Sequence, residues 1–79
     1  MTDLDLRLTR CFASVFRKLP ANEIPHATVE SVPGWDSIAT ATLMSVVSDE
    51  FSLPLDFDDV DQLTSYDGVR AWVLTRVGQ

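Results

Sequence analysis

Residues 32–38 of the chain read Val-Pro-Gly-Trp-Asp-Ser-Ile, and this stretch decides how the rest of the sequence is interpreted. Pro33-Gly34 is a turn dipeptide, and Asp36 is a favourable helix N-cap because its carboxylate accepts hydrogen bonds from the free N–H groups of the first turn. Ser37 is therefore expected to be the first helical residue, at the surface and near the positive end of the helix dipole. A hydroxyl in this position is well placed to carry a phosphodiester.

The length and composition predict one domain, residues 1–79. The chain has 79 residues, of which 46% are hydrophobic, enough for one small core. With the single cysteine Cys11 no internal disulfide can form, and the N-terminal residues 1–7 are acidic where a signal peptide is basic. No stretch has the length of a membrane span. We expect a soluble, cytoplasmic protein, and a monomer, because one core accounts for its apolar stripes.

Charge is distributed unevenly along the sequence. The net charge is −6, and no Lys or Arg occurs between Leu19 and Val69. Such an acidic middle repels nucleic-acid phosphates and anionic membrane surfaces, and it favours basic partners. Taken alone, the acidic middle is better explained as a solubilising surface than as a docking surface. The basic residues lie near the two ends: Arg7, Arg10, Arg17, Lys18, Arg70 and Arg76.

Two long amphipathic helices are predicted on either side of a long connection. The first helix is predicted to end before Pro20, and the positive charges of Arg17 and Lys18 suit its C-terminal end. Cys11 lies on its apolar face and is expected to be a buried structural thiol. The second runs over about residues 37–51. Apolar residues recur at helical spacing on the first helix, at Leu4, Leu8, Cys11, Phe12, Val15, Phe16 and Leu19. On the second helix the buried arc is Ala39, Leu43, Val46, Val47 and Phe51, with Met44 at its edge, and the opposite polar arc is Thr42, Ser45, Ser48 and Asp49. Ile38 and Ala41 project towards the polar side, next to Ser37.

The connection, residues 20–35, is long for so small a domain, and loops of this kind are often functional. Ile24, Val29 and Val32 are expected to anchor it to the helices. His26 is the only histidine. Because no second histidine or cysteine lies nearby, we predict no metal site there.

The C-terminal third is predicted to hold a short and a longer helix. Pro54 ends the preceding helix, and residues 56–63 form a short acidic helix anchored by Phe57, Val60 and Leu63. Thr64-Ser65 caps the last helix, about residues 66–77, which buries Val69, Trp72, Val73 and Val77 and is ended by Gly78. The predicted fold is therefore all-α, a small four-helix bundle with three longer helices and one short one.

The sequence shows no catalytic apparatus. A nucleophilic serine needs a base and usually an orienting group, and His26 is the one candidate base. Asp56, Asp58 and Asp59 lack the glycine and terminal glutamate of a calcium loop and are better explained as acidic residues of a helix. We therefore expect that the protein is not an enzyme.

At this point the sequence resembles the acyl carrier protein family over nearly its whole length. The Asp36-Ser37-Ile38 triplet alone is a weak match, but its distance from both ends and the order of the predicted helices make the resemblance strong. The matching features are the opening amphipathic helix, the long loop, Gly34-Trp35-Asp36-Ser37-Ile38, the Asp49-Glu50-Phe51 ending, Leu53-Pro54-Leu55, the short acidic helix and Leu63-Thr64-Ser65.

The resemblance implies that a phosphopantetheinyl transferase attaches 4′-phosphopantetheine from coenzyme A to Ser37, and that the arm's thiol carries an acyl or aminoacyl group. Asp36 would cap the helix beside the metal site of the transferase, and Trp35 would pack the loop. The implied partners also include an acyl-loading ligase or synthase with a basic docking patch. The expected contacts for the arm or for partners are Ile38, Ala41, Met44, Asp49, Glu50, Asp58 and Asp59.

Two departures from the family pattern make the resemblance more specific. Carriers of fatty-acid synthesis usually line the outer face of the second helix with glutamates, whereas Thr42, Ser45 and Ser48 stand here. Ser52 occupies a position where a helix-ending glycine is common. A stand-alone specialised carrier fits better than the housekeeping one. The alternatives are a helical protein-interaction module that is never modified and a small hydrolase that uses Ser37.

Overall fold

The computed structural model describes residues 3–54 and 57–77, and the described chain is all-α, as predicted. It contains three α-helices, α1 (Asp3–Val15), α2 (Ser37–Phe51) and α3 (Tyr66–Val77), and two 3-10 segments, Ile24–His26 and Phe57–Gln62. The short helix predicted at 56–63 is thus a 3-10 segment, and its predicted first residue, Asp56, lies outside the described residues, as does Gly78. No helix in the described ranges is both long and apolar enough to cross a membrane.

Helix α1 is shorter than its apolar spacing predicted. The helix ends at Val15, one further helical hydrogen bond runs from Phe16 N–H to Phe12 O (2.8 Å), and a tight turn then joins Leu19 N–H to Phe16 O (3.0 Å). Pro20 could not continue this helix, because proline lacks the N–H that would donate to the Phe16 carbonyl and its ring would clash with that carbonyl. The placement of Arg17 and Lys18 on the last turn of α1 was therefore wrong, since both follow the helix.

An aromatic cluster forms the centre of the core. The Phe12 ring lies 5.7 Å from the Trp35 ring in an edge-on arrangement and 5.2 Å from the Tyr66 ring, and the Phe16 ring lies 5.1 Å from the Trp35 ring. All four side chains are buried. The cluster therefore ties α1, the turn before α2, and α3 into one core.

The buried arc of α2 is wider than the sequence predicted. Met44 is fully buried and Ser48 is only 6% exposed, although Met44 was placed at an edge and Ser48 on the polar arc. The reason is that α2 packs against α1 on one side and against the 3-10 segment Phe57–Gln62 on another. A similar correction applies to Val77, which was expected on the inner stripe of α3 and is 45% exposed.

The connection is fastened to the start of α3. Thr28 and Ser65 form an isolated antiparallel bridge, Val29 N–H donates to Thr64 O (2.9 Å), and Tyr66 N–H donates to Ala27 O (2.9 Å). Of the three predicted anchors, Ile24 and Val32 are buried, whereas Val29 is 37% exposed because its backbone, not its side chain, makes the attachment.

The predicted cap of α3 is present at Ser65. Its Oγ accepts the N–H of Gly68 at 2.9 Å, as an N-cap side chain does. A Cβ on Gly68 would lie 2.6 Å from the Gln62 carbonyl oxygen, so only glycine allows the second 3-10 segment to approach α3 so closely.

Helix α2 ends in a left-handed residue that is not glycine. Ser52 has φ 54° and ψ 46°, and Leu53 N–H donates to Ser48 O at 2.8 Å, the long bond of a Schellman motif. Ser52 thus adopts the left-handed conformation for which glycine is common at this position.

Candidate functional site

The start of α2 is built as the sequence predicted. Ser37 is the first residue of the helix, and Asp36 precedes it in an extended conformation, with its Oδ1 accepting the Ala39 N–H at 2.9 Å. Ser37 is exposed. The cap fixes the backbone on which the Ser37 hydroxyl stands.

Two backbone donors remain available beside this hydroxyl. The Ala39 N–H is taken by Asp36, and the Thr40 N–H donates to Asp36 O at 2.9 Å, the first bond of the helical ladder. Within residues 3–54 and 57–77, the N–H groups of Ser37 and Ile38 have no acceptor. An anionic group attached to Ser37 could accept both of them at the positive end of the helix dipole.

Thr40 anchors this turn to the core, and sequence reasoning missed it. Its hydroxyl accepts the Trp35 indole N–H at 2.8 Å and donates to Asp36 O at 3.0 Å. Thr40 is 6% exposed and Trp35 is 5% exposed, so this hydrogen-bonded pair is buried. The available signal was a threonine four residues after a helix cap, from which a hydroxyl can reach the carbonyl oxygen of residue i−4.

A shallow cleft of about 300 Å³ opens beside Ser37, between the start of α2 and the second 3-10 segment. Asp61 and Thr64 line the same cleft as Ser37 and Asp36, although neither was predicted to be a site residue. His26 is exposed and is not among the residues that line it. The cleft therefore offers carboxylates and hydroxyls near Ser37 but no imidazole base.

The predicted apolar neighbours of Ser37 differ in accessibility. Ile38 is 78% exposed, Ala41 is half-buried, and Met44 has no exposed surface. The burial of Met44 is at odds with its expected contact role, and we assign it to the core. Ile38 is then the principal apolar side chain that a protein approaching Ser37 would meet.

Two of the acidic candidates, Asp49 and Glu50, lie at the opposite end of α2 from Ser37. Asp49 lies twelve residues along α2, about 18 Å from Ser37 at the rise of an α-helix. The Glu50 carboxylate is engaged by Arg7 at 3.2 Å, and Arg7 also donates to the Glu50 carbonyl oxygen at 2.6 Å. Asp58 is exposed on the second 3-10 segment, whereas the side chain of Asp59 lies outside what the structure describes.

The Cys11 thiol is buried in the core. Burial raises the pKa of the Cys11 thiol to about 11, with the Glu50 charge acting in the same direction, and the thiol is 3% exposed. In the part of the chain that the structure describes, no three His, Cys, Asp or Glu side chains are grouped so that they could hold a metal ion.

No protein-family model, curated protein or solved structure matches the chain.

Proposed function

We propose that the chain is a carrier protein of the acyl carrier type, in which Ser37 bears a 4′-phosphopantetheine group. The observation that carries the proposal is the exposed Ser37 hydroxyl on the first residue of α2, fixed by the Asp36 cap and set beside two unused backbone N–H groups. The order of the helices, with the 3-10 segment Phe57–Gln62 in place of the short third helix, supports a carrier-like arrangement.

The residues at the start of α2 fit a phosphodiester attached to Ser37. Its oxygens could accept the free N–H groups of Ser37 and Ile38, and the dipole of a fifteen-residue helix favours the negative charge. The Asp36 carboxylate accepts the Ala39 N–H, and this capping hydrogen bond fixes its orientation. Attached at this site, the group supplies a thiol on a mobile arm, which holds an acyl or aminoacyl unit as a thioester.

The modification itself is a group transfer in which Ser37 is the acceptor. The Ser37 Oγ forms a bond to the phosphorus atom of coenzyme A that bears the pantetheine, the pyrophosphate P–O bond breaks, and adenosine bisphosphate leaves. The hydroxyl proton passes to a base of the transferase, because the cleft beside Ser37 has no imidazole. The role of this chain is to present Ser37 and to bind the transferase in the cytoplasm, where coenzyme A is available.

Exposed groups on α2 support docking of a partner with a basic patch. Ile38 presents an apolar contact beside Ser37, and Asp49 is exposed near the far end of the same helix. Helix α2 itself contains no Lys or Arg that would oppose a basic partner, and Arg7 and Arg10 of α1 lie only near its far end.

The test is the intact mass of the protein after incubation with coenzyme A, Mg²⁺ and a transferase of broad specificity. We expect a gain of one phosphopantetheinyl group, no gain for Ser37→Ala, and a full gain for Ser45→Ala, which removes another exposed serine of α2. A folded protein that gains nothing would contradict the proposal and support the unmodified interaction module. A serine-directed hydrolase probe should not label Ser37.

A further inference from the structure

A second, larger cleft lies where α1 ends. Its volume is about 450 Å³, within the range of small-molecule sites, and more of its lining is apolar than polar. The apolar floor combines the buried side chains of Phe16 and Val32 with the half-buried Val15 and Ala39. The cleft thus lies between the end of α1, the connection and the first turn of α2.

The rim of this cleft carries positive charge in a strongly acidic protein. Arg17 and Lys18 both line it and both are exposed, with Glu23 as the one acidic lining residue. The chain as a whole has a net charge of −6. An anion bound in this cleft would therefore face two positively charged side chains and one negatively charged side chain.

These two cations also differ from the others in the protein. Elsewhere, Arg7 pairs with Glu50, Arg70 pairs with Asp5, Arg76 lies over the Trp72 ring, and Arg10 lines a different cleft together with Asp49 and Glu50. Within residues 3–54 and 57–77, neither Arg17 nor Lys18 forms an ion pair. Their charges are not used to hold the fold together.

We propose that this cleft binds an aliphatic carboxylate, with the hydrocarbon chain on the floor formed by Phe16, Val32 and Ala39 and the carboxylate at Arg17 and Lys18. Apolar burial supplies most of the affinity, and the two cations select an ionised end group over a neutral one. The site needs no modification of Ser37, so it goes beyond the proposed carrier function. The same chemistry could come from a free fatty acid or from a chain ending in a carboxylate that is carried on Ser37.

The experiment is an NMR titration of the isotopically labelled full chain, carried out on the Ser37→Ala variant. Octanoate should shift the backbone amides of Leu19, Val32, Gly34 and Ala39, and it should bind about fivefold tighter than octanol, the size of an exposed charge contact. Butyrate, which keeps the charge and loses most of the chain, should bind more weakly than octanoate.

Variants assign the charge selectivity to the rim. Arg17→Gln combined with Lys18→Gln should lower the affinity for octanoate to that for octanol. Arg10→Gln, on α1 and outside the cleft, should leave the affinity for octanoate unchanged. All three substituted positions are exposed, so we expect both variants to give folded spectra. Equal affinity for octanoate and octanol, or shifts confined to other residues, would overturn the proposal.

A last comparison separates the two sources of the ligand. On wild-type protein that has been modified at Ser37, an eight-carbon chain ending in a carboxylate is compared with one ending in a methyl group. Shifts at Gly34 and Ala39 with the carboxylate chain alone identify carried cargo as the ligand, and shifts with free octanoate alone identify a free fatty acid. If neither the carried carboxylate chain nor free octanoate shifts these amides, the site is refuted. The octanoate titration gives this result even if Ser37 cannot be modified.

Discussion

The Thr40 hydroxyl determines how firmly the candidate attachment site is held. One oxygen accepts the indole N–H of Trp35 and donates to the carbonyl of Asp36, so a single side chain connects the aromatic core to the helix cap. Because Trp35 and Thr40 are buried, water cannot replace the hydrogen bond between them if it is lost. The position of Ser37 therefore depends on a buried residue three positions further along α2.

We expect Thr40→Val to lower the free energy of unfolding by about 1–3 kcal/mol, because the isosteric side chain leaves the Trp35 indole N–H buried and unpaired. Thr40→Ser keeps the hydroxyl and should cost less. Urea denaturation, followed by circular dichroism, measures both variants. Equal losses for valine and serine would show that the hydrogen bond to Trp35 contributes little.

At the scale of the elements, α2 presents a single exposed face. Ile38, Thr42, Ser45 and Asp49 follow one another at three- and four-residue steps, and all four are exposed. This face begins beside Ser37 and ends near the far end of α2. A partner that lies along α2 would meet an apolar residue first, then hydroxyls, and a carboxylate last.

We expect Ile38→Ala to reduce the kcat/KM of a phosphopantetheinyl transferase for this protein about tenfold, because an apolar contact worth about 1–2 kcal/mol next to Ser37 is lost. The stability should change by less than about 0.5 kcal/mol, since Ile38 is 78% exposed.

Leu6→Ala is the matched control, because Leu6 is another exposed leucine-sized side chain, 47% exposed, on α1. It should leave the modification rate unchanged. If Ile38→Ala is modified as fast as the wild type, or if Leu6→Ala is slowed equally, Ile38 is not a docking contact.

The sequence predicted those elements whose signals are local. The bounds of α2 and α3 were predicted correctly because their caps, Asp36 and Ser65, act on the next turn. The burial of Met44 and Ser48 could not be read from periodicity, because it is caused by the 3-10 segment Phe57–Gln62, which lies apart from α2 in sequence and packs against it.

The site was predicted in the same uneven way. Asp36 and Ser37 were identified because a turn dipeptide and a capping residue are recognisable over a few positions. Thr40 was missed because its role depends on where the Trp35 ring lies. Asp61 was missed because the second 3-10 segment faces α2 only in the folded chain.

At the scale of the whole molecule, ionisable groups at the ends of the chain link the helices. The Asp5 carboxylate accepts the Tyr66 hydroxyl at 3.0 Å and pairs with Arg70 at 2.8 Å, joining α1 to α3. Arg7 joins α1 to the end of α2 through Glu50. The Cys11 thiol, which lies within the core, makes stability depend on pH at alkaline pH.

Burial raises the pKa of the Cys11 thiol from 9.0 to about 11. Between these two values the unfolded chain loses the thiol proton while the folded chain keeps it, so stability falls as the pH rises, and below pH 9 the thiol makes no difference. We expect the free energy of unfolding to fall by about 1 kcal/mol more between pH 8 and pH 10 in the wild type than in Cys11→Ala. Urea denaturation at both pH values, with a reducing agent present, measures the difference.

Two controls make the comparison specific to Cys11. Burial also raises the pKa of Tyr66 above 10.0, so the comparison is stopped at pH 10, and Tyr66 is common to both proteins. Cys11→Ala is less stable at every pH because it leaves a cavity, so the slope with pH, not the absolute stability, decides the outcome. Equal slopes would mean that the thiolate is tolerated in the folded core.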